Sequence, residues 1–185
     1  MGADGDRPRV LGVAARRGHR FSKTAAMSVR LVAGLGVLGD GHAGERVQHR
    51  IQKRERPGSS NLRQVHLFDN ETLLALESRF GAFHCGDLGE NVRTQGVGLT
   101  ALPTGARLRL GVTAVVELTG LRHPCVQLDR FRPGLMRALL NANDDGSLRR
   151  QAGVMAIVVI GGDVAPGDPI AILPPPPPHR PLAPV

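Results

Sequence analysis

The chain has 185 residues, 41% of them hydrophobic and 22% charged, the composition of a globular domain and not of a disordered chain. It contains no Trp, no Tyr and five Phe, which excludes an aromatic stacking platform for single-stranded nucleic acid and any chemistry that needs a tyrosine acid. The net charge of +8, with Lys23 and Lys53 the only lysines among 24 basic residues, favours an anionic partner.

In chain order, residues 1–8 read as a loose tail and Val10–Ala14 as a strand. Arg16–Lys23 is a polar loop, and Ser28–Leu31 alternates as a half-buried strand does. Gly34, Gly36, Gly39, Gly41 and Gly44 then mark tight turns or a close backbone approach to a ligand. Residues 43–63 carry half of the net positive charge, and Arg50–Ser60 within them reads as an exposed loop. Gln64–Phe68 is a short strand. Asp69 or Asn70 is placed to cap a helix running through Arg79, with Leu73, Leu74 and Leu76 as its apolar face.

Gly86–Val92 is a second glycine-punctuated polar segment. The alternation Arg107–Leu110, the turn at Gly111 and the run Ala114–Leu118 signal a hairpin. Pro133 suits the first turn of a helix reaching about Asn141, and Asn143–Gly146 is a turn. Gly153–Ile160 is an apolar β-branched strand, and Val164–Leu173 is a further one broken by PGDP. Pro174–Pro178 forms a stiff polyproline II segment. These elements predict a mainly β fold, a barrel with a few peripheral helices. The domain spans 9–173, between the tail 1–8 and a proline-rich tail 174–185.

Cys125 stands out chemically. A β-branched run ends at Thr119, Gly120 breaks it, and Pro124 fixes the chain just before the thiol, with Arg122 and His123 upstream. Nearby positive charge favours the thiolate, the form that attacks electrophiles and binds soft metals. Cys85 lacks such neighbours and reads as an inert core thiol. His66 and His123 are candidate bases for Cys125, but a cysteine-protease arrangement is weakly supported. Asp40 and His42, with His49, raise the option of a metal site, which no HExxH or Cys/His cluster supports. There is no Walker A sequence and no GxGxxG opening a helix. No nucleic-acid-binding motif accompanies the basic segment, so nucleic acid is not an expected partner. The polar start and the absence of an apolar run of about 18 residues predict neither a signal peptide nor a membrane span, hence a cytoplasmic protein with both thiols free.

Taken together, several segments in order resemble one family. They are FSK (21–23), VAGLGVLGDGHAG (32–44), RQVHL (63–67), GDLGENV (86–92), LPTGARLRLG (102–111), LTGLRHPC (118–125) and GGDVAPGD (161–168). This set resembles the MOSC domain, named after the C-terminal domain of molybdenum cofactor sulfurases, across about residues 9–172. The resemblance implies a β-barrel like that of the pyruvate kinase barrel domain and a cysteine central to sulfur or molybdenum chemistry. Position by position, it implies that Cys125 is the signature cysteine, as a molybdenum ligand or persulfide carrier. It implies cofactor-binding roles for Lys23, Asp40, His42, Glu90, Asn91 and Arg122, with Lys23 a contact for the phosphate of molybdopterin. The implied activities are reduction of N-hydroxylated compounds or, alternatively, non-enzymatic sulfur delivery. The implied partners are a redox protein or a cysteine desulfurase, with pyridoxal phosphate on that partner because no Schiff-base lysine motif is visible here.

Overall fold

The computed structural model describes residues 7–47, 58–142 and 148–185. Its strands are β1 (Arg9–Ala15), β2 (Thr24–Ala26), β3 (Val29–Val32), β4 (Gly36–Val37), β5 (Val65–Asp69), β6 (Val92–Gln95), β7 (Arg107–Leu110), β8 (Ala114–Leu121), β9 (Leu140–Ala142), β10 (Leu148–Arg150), β11 (Val154–Ile160), β12 (Gly162–Val164) and β13 (Ile170–Leu173). The helices among the described residues are α1 (Asn70–Phe80), α2 (Val126–Phe131) and α3 (Leu135–Ala138). The fold is mainly β. The expected loop at Arg50–Ser60 and turn at Asn143–Gly146 lie largely or wholly outside the described residues.

Eight strands form one sheet in the order β13-β7-β8-β11-β5-β6-β1-β2, antiparallel except for β5 and β6, whose parallel pairing uses α1 in the crossover. A three-stranded sheet β12-β3-β4 and the pair β10-β9 complete the pairing. Val10 N donates to Asp168 O (2.9 Å) and Ile170 N to Pro8 O (2.8 Å), so β1 meets the chain that leads into β13 and the large sheet curls on itself. The strand ladder runs open from β13 to β2. A curled, mainly β sheet is therefore what stands of the expected barrel.

Side-chain alternation explains which face turns inward. In β7, Leu108 and Leu110 are fully buried while Arg107 and Arg109 face solvent, and Leu110 pairs with Ala114 across the hairpin turn. The main core joins these leucines to Val10, Val65, Leu67, Val116 and Val154 inside the curl. A second cluster, with Phe68, Leu73, Leu88, Leu128 and Leu135, sits under the helices. The two clusters hold the strand ends and loops between them, where Cys125 lies.

Three local expectations change. Asp69 occupies the N-cap position of α1 but makes no cap hydrogen bond. Its carboxylate instead accepts from Thr94 Oγ1 (3.1 Å) and Leu99 N (3.0 Å), tying β5 to the chain after β6. Leu74 is 56% exposed, because it points about 100° away from the Leu73 side of the helix. The helix expected from Pro133 to Asn141 is only α3, since Leu140 pairs with Arg150 in a short ladder. Among the described residues no helix is long and apolar enough to cross a membrane.

Candidate functional site: a cationic pocket at Cys125

A cavity of about 400 Å³ opens between the loop 16–23, the GDGHAG loop, the start of β5 and the β8–α2 junction. Cys125 lies on its wall with Arg63, Arg122, Lys23, His42 and Asn91. Each arrives by a different local rule. β8 is an apolar strand that runs through Gly120, which pairs with Met155 where a break was expected, and ends at Leu121 ahead of Pro124, which delivers Arg122, His123 and Cys125 just past its end. Cys125 is the residue just before α2, in extended conformation, and Leu128 N donates back to its carbonyl (3.0 Å). Its thiol is partly exposed, with Gln127 Oε1 at 3.7 Å.

Arg122 is 8% exposed. Its Nη1 is buried with no hydrogen-bond partner, and its guanidinium carbon stands 5.7 Å from the Phe21 ring centre. Burial pulls Arg122 below its ordinary basicity; a negative charge on Cys125 opposes this, and neighbouring Arg63 adds to it. Arg63 behaves alike, lowered by burial and supported by charge on Cys125. Both guanidiniums thus share the pocket wall with Cys125, and among the described residues neither forms a salt bridge.

Lys23, His42 and Asn91, on the pocket wall, form one network with Asp40 behind them. Lys23 Nζ is 2.9 Å from Asp40 Oδ2, with both side chains buried. Asn91 Nδ2 donates to the same oxygen (3.1 Å) and to Ala14 O (3.1 Å), while Asn91 Oδ1 accepts from His66 N (3.1 Å). Asp40 Oδ1 accepts from His42 N (3.0 Å) and faces His42 Nδ1 at 3.3 Å. Burial alone would raise the Asp40 carboxyl, but the His42 hydrogen bonds and the Lys23 charge overcome it and hold the group well below the usual carboxylate range. Burial lowers Lys23, and Asp40 works against that. The charge of Lys23 is engaged in an ion pair, whereas Arg63 and Arg122 line the pocket with no salt bridge among the described residues, Glu90 acting on Arg122 only through space.

Glu90 is not among the pocket-wall residues. Fully buried, it accepts from Gly86 N (2.8 Å), Leu88 N (3.1 Å) and Arg93 Nη2 (2.9 Å), and so moulds the GDLGEN loop from within. Cys85, in that loop, has its thiol pushed up to about 12 by burial and by Glu90. Among the described residues, no group of three or more His, Cys, Asp or Glu is placed to hold a metal ion; Asp40 and His42 form a hydrogen-bonded pair instead.

Sequence reasoning had no role for Arg63, Phe21 or Val185, all on the pocket wall. Arg63 was one charge in a basic run, and nothing local distinguishes it from Arg46, which donates to Gly58 O (3.2 Å). His66, weighed above only as a base for Cys125, is a buried wall residue whose Nε2 lies 2.9 Å from Ala152 O. Burial, with Arg122 nearby, keeps it neutral. Gly153 is the residue this packing demands: its φ is +91°, and a Cβ there would strike His66 Nε2 and come within 2.5 Å of Leu67 O.

Comparison with known proteins bears on the fold and the family. The structure resembles that of the YuaD protein from Bacillus subtilis, with a TM-score of 0.74 at 22% identity, covering 91% of this chain and 97% of that one. It also resembles YiiM from Geobacillus stearothermophilus, with a TM-score of 0.63 at 18% identity over 90% of this chain and 75% of that one. YiiM from Escherichia coli matches with a TM-score of 0.58 at 18% identity, over 93% and 73% of the two chains. At such identities these likenesses establish the fold. No curated protein matches the sequence. A family profile described as the MOSC domain matches residues 52–171, from the basic segment through Cys125 into β13. The chain belongs to the MOSC domain family.

Proposed function

We propose that this MOSC protein binds the molybdenum cofactor in the Cys125 pocket, with the Cys125 sulfur as ligand to the metal. The observation that carries this reading is the pair of guanidiniums that line the Cys125 pocket, Arg122 buried with an unpartnered Nη1 and Arg63 on the same wall. A buried charged donor left without a hydrogen-bond partner costs about 1–3 kcal/mol or more, which a bound acceptor would relieve. An anionic pterin fits that need, and a cavity of about 400 Å³ lies in the size range of small-ligand sites. Thiolate sulfur is a soft ligand suited to such a metal.

The chain's own groups divide the work. Arg122 and Arg63 neutralise the anionic group; Lys23, paired with Asp40, fixes the pocket wall. His42 turns Nδ1 toward Asp40, so its ring holds a proton at that atom on the pocket side of a buried carboxylate. Neutral His66 donates from Nε2–H to Ala152 O and adds no further positive charge. When bound, the molybdenum centre supplies two-electron exchange, the chemistry needed to reduce an N-hydroxylated compound to amine and water with electrons from a redox partner. Both thiols would remain free in a reducing cytoplasm.

The test is expression alongside cofactor biosynthesis, followed by molybdenum analysis and pterin fluorescence. Wild type is expected to carry both. Cys125→Ser and Arg122→Met are expected to lose occupancy by about tenfold or more, the usual scale for ligands and their supports. A persulfide on Cys125 without molybdenum would select the alternative, a sulfur-delivery module fed by a pyridoxal-phosphate-dependent desulfurase. Neither molybdenum nor persulfide, with Cys125→Ser indistinguishable from wild type, overturns both.

A further inference from the structure

The chain after the proline run returns to the pocket. Thr104 N donates to Arg180 O (2.8 Å) and Thr104 Oγ1 to Pro181 O (3.0 Å). Leu182 then enters the main core at 8% exposure. Leu121 N donates to Ala183 O (2.8 Å) and Val185 N to Leu121 O (3.2 Å), which seats residues 183–185 against the last residue of β8, one step before Arg122. Val185 thereby becomes part of the pocket wall together with Cys125. Gly120 makes room for this: a Cβ there would strike Ala183 O and come within 2.8 Å of Val185 Cβ.

We propose that residues 180–185 are a wall of the pocket that selects by size what reaches Cys125, with Val185 as the selecting side chain. The segment is held by a few main-chain hydrogen bonds and one buried leucine, whereas β8 and β11 are held along their whole length. It therefore belongs to the low-stability end of the fold, from which access walls and lids are drawn. The Pro174–Pro178 run joins it to β13, and the fixed φ of its prolines limits the freedom the segment loses on seating. The selection concerns the thiol's accessibility and holds whether Cys125 ligates a metal or carries sulfur.

The experiment uses cofactor-free full chain and two thiol reagents, iodoacetamide and a bulky fluorescent maleimide, with labelling located by peptide mass spectrometry. Cys85 does not confuse the result, because its raised thiol reacts slowly and its peptide is distinct. Val185→Ala is expected to raise the ratio of bulky to small labelling at Cys125 by about tenfold, the scale of a methylene-sized change in a fitted pocket. Val185→Trp is expected to lower that ratio without slowing iodoacetamide. A deletion of 182–185, if folded by circular dichroism, is expected to resemble Val185→Ala or exceed it. An unchanged ratio in both point variants overturns the proposal. Because no cofactor is present, that failure is separate from failure to find molybdenum.

Discussion

Asp40 is the residue through which three parts of the site are joined. Its oxygens take Lys23 and the Arg16 N–H from the loop 16–23, Asn91 from the GDLGEN loop, and His42 from its own loop. Lys23→Met leaves that carboxylate buried without its cation, a defect that costs about 3–5 kcal/mol. Urea denaturation at pH 7 should show a loss of that size. Because the folded Asp40 carboxyl lies below its ordinary 3.8, its stabilising effect is present above that value and is lost as pH falls through the folded value. The difference between wild type and Lys23→Met is therefore expected to shrink on acidification below about pH 4. Asp69 has the opposite sign. Burial raises its carboxyl to about 6, so its contribution is fully present below 3.8 and is lost as pH rises through 6. Between pH 5 and pH 7 wild type should lose about 1 kcal/mol more than Asp69→Asn does. Equal slopes in urea titrations of the two proteins would remove Asp69 as the source.

At the level of elements, helix α1 separates a leucine that holds the second core from one that does not. Leu73 is 1% exposed beneath β5, and Leu74 is 56% exposed. Leu73→Ala is expected to cost about 2–4 kcal/mol, and Leu74→Ala to stay within about 0.5 kcal/mol of wild type. Comparable losses in the two melts would mean that α1 packs on another face. The sequence places this helix correctly but assigns Leu74 to the buried side, since three leucines in four positions do not by themselves fix where the stripe is centred. The β7–β8 hairpin was legible because alternation is a purely local signal with period two. Helix α2 was not: its six residues are held by Leu128 in the second core and by Asp129, whose carboxylate accepts from Met136 N (2.7 Å). Those contacts are tertiary and leave no periodic trace in so short a segment. The same reason hides residues 180–185, whose only local mark is a proline run that says nothing about where the chain goes next. Of the candidate site, Cys125 and Arg122 were legible from Pro124 and the basic residues that precede the thiol, although the strand runs one residue past Gly120. Glu90 was given a cofactor role only by its match to the GEN element of the family pattern, and a matched motif does not tell a loop-moulding carboxylate from one that faces a pocket.

Across the whole molecule, the net charge of +8 first reads as a diffuse attraction for anions. Four of the basic residues in segment 43–63, Arg50, Lys53, Arg54 and Arg56, lie outside the described residues. Of the other two, Arg46 bonds to Gly58 O and Arg63 turns to the pocket. Surface charges act through solvent and are screened over about 10 Å at 0.1 M salt. The Arg63–Arg122 pair acts across a partly enclosed cavity, where the field on a ligand is stronger and less screened. Competing alkylation of Cys125 by iodoacetate, which is anionic, and by iodoacetamide, which is neutral and of similar size, separates the two contributions. Arg63→Gln is expected to lower the iodoacetate-to-iodoacetamide ratio by about tenfold, the lower end of what focused charge does to the encounter of an ion with a cleft. Arg109→Gln removes the same formal charge from the exposed side of β7 and is expected to leave the ratio unchanged. Added salt should weaken the preference of wild type only partly while erasing any residual effect at position 109. Were both variants to lower the ratio equally, the anion preference would belong to the net charge of the chain, and the pocket arginines would lose their claim to an anionic ligand.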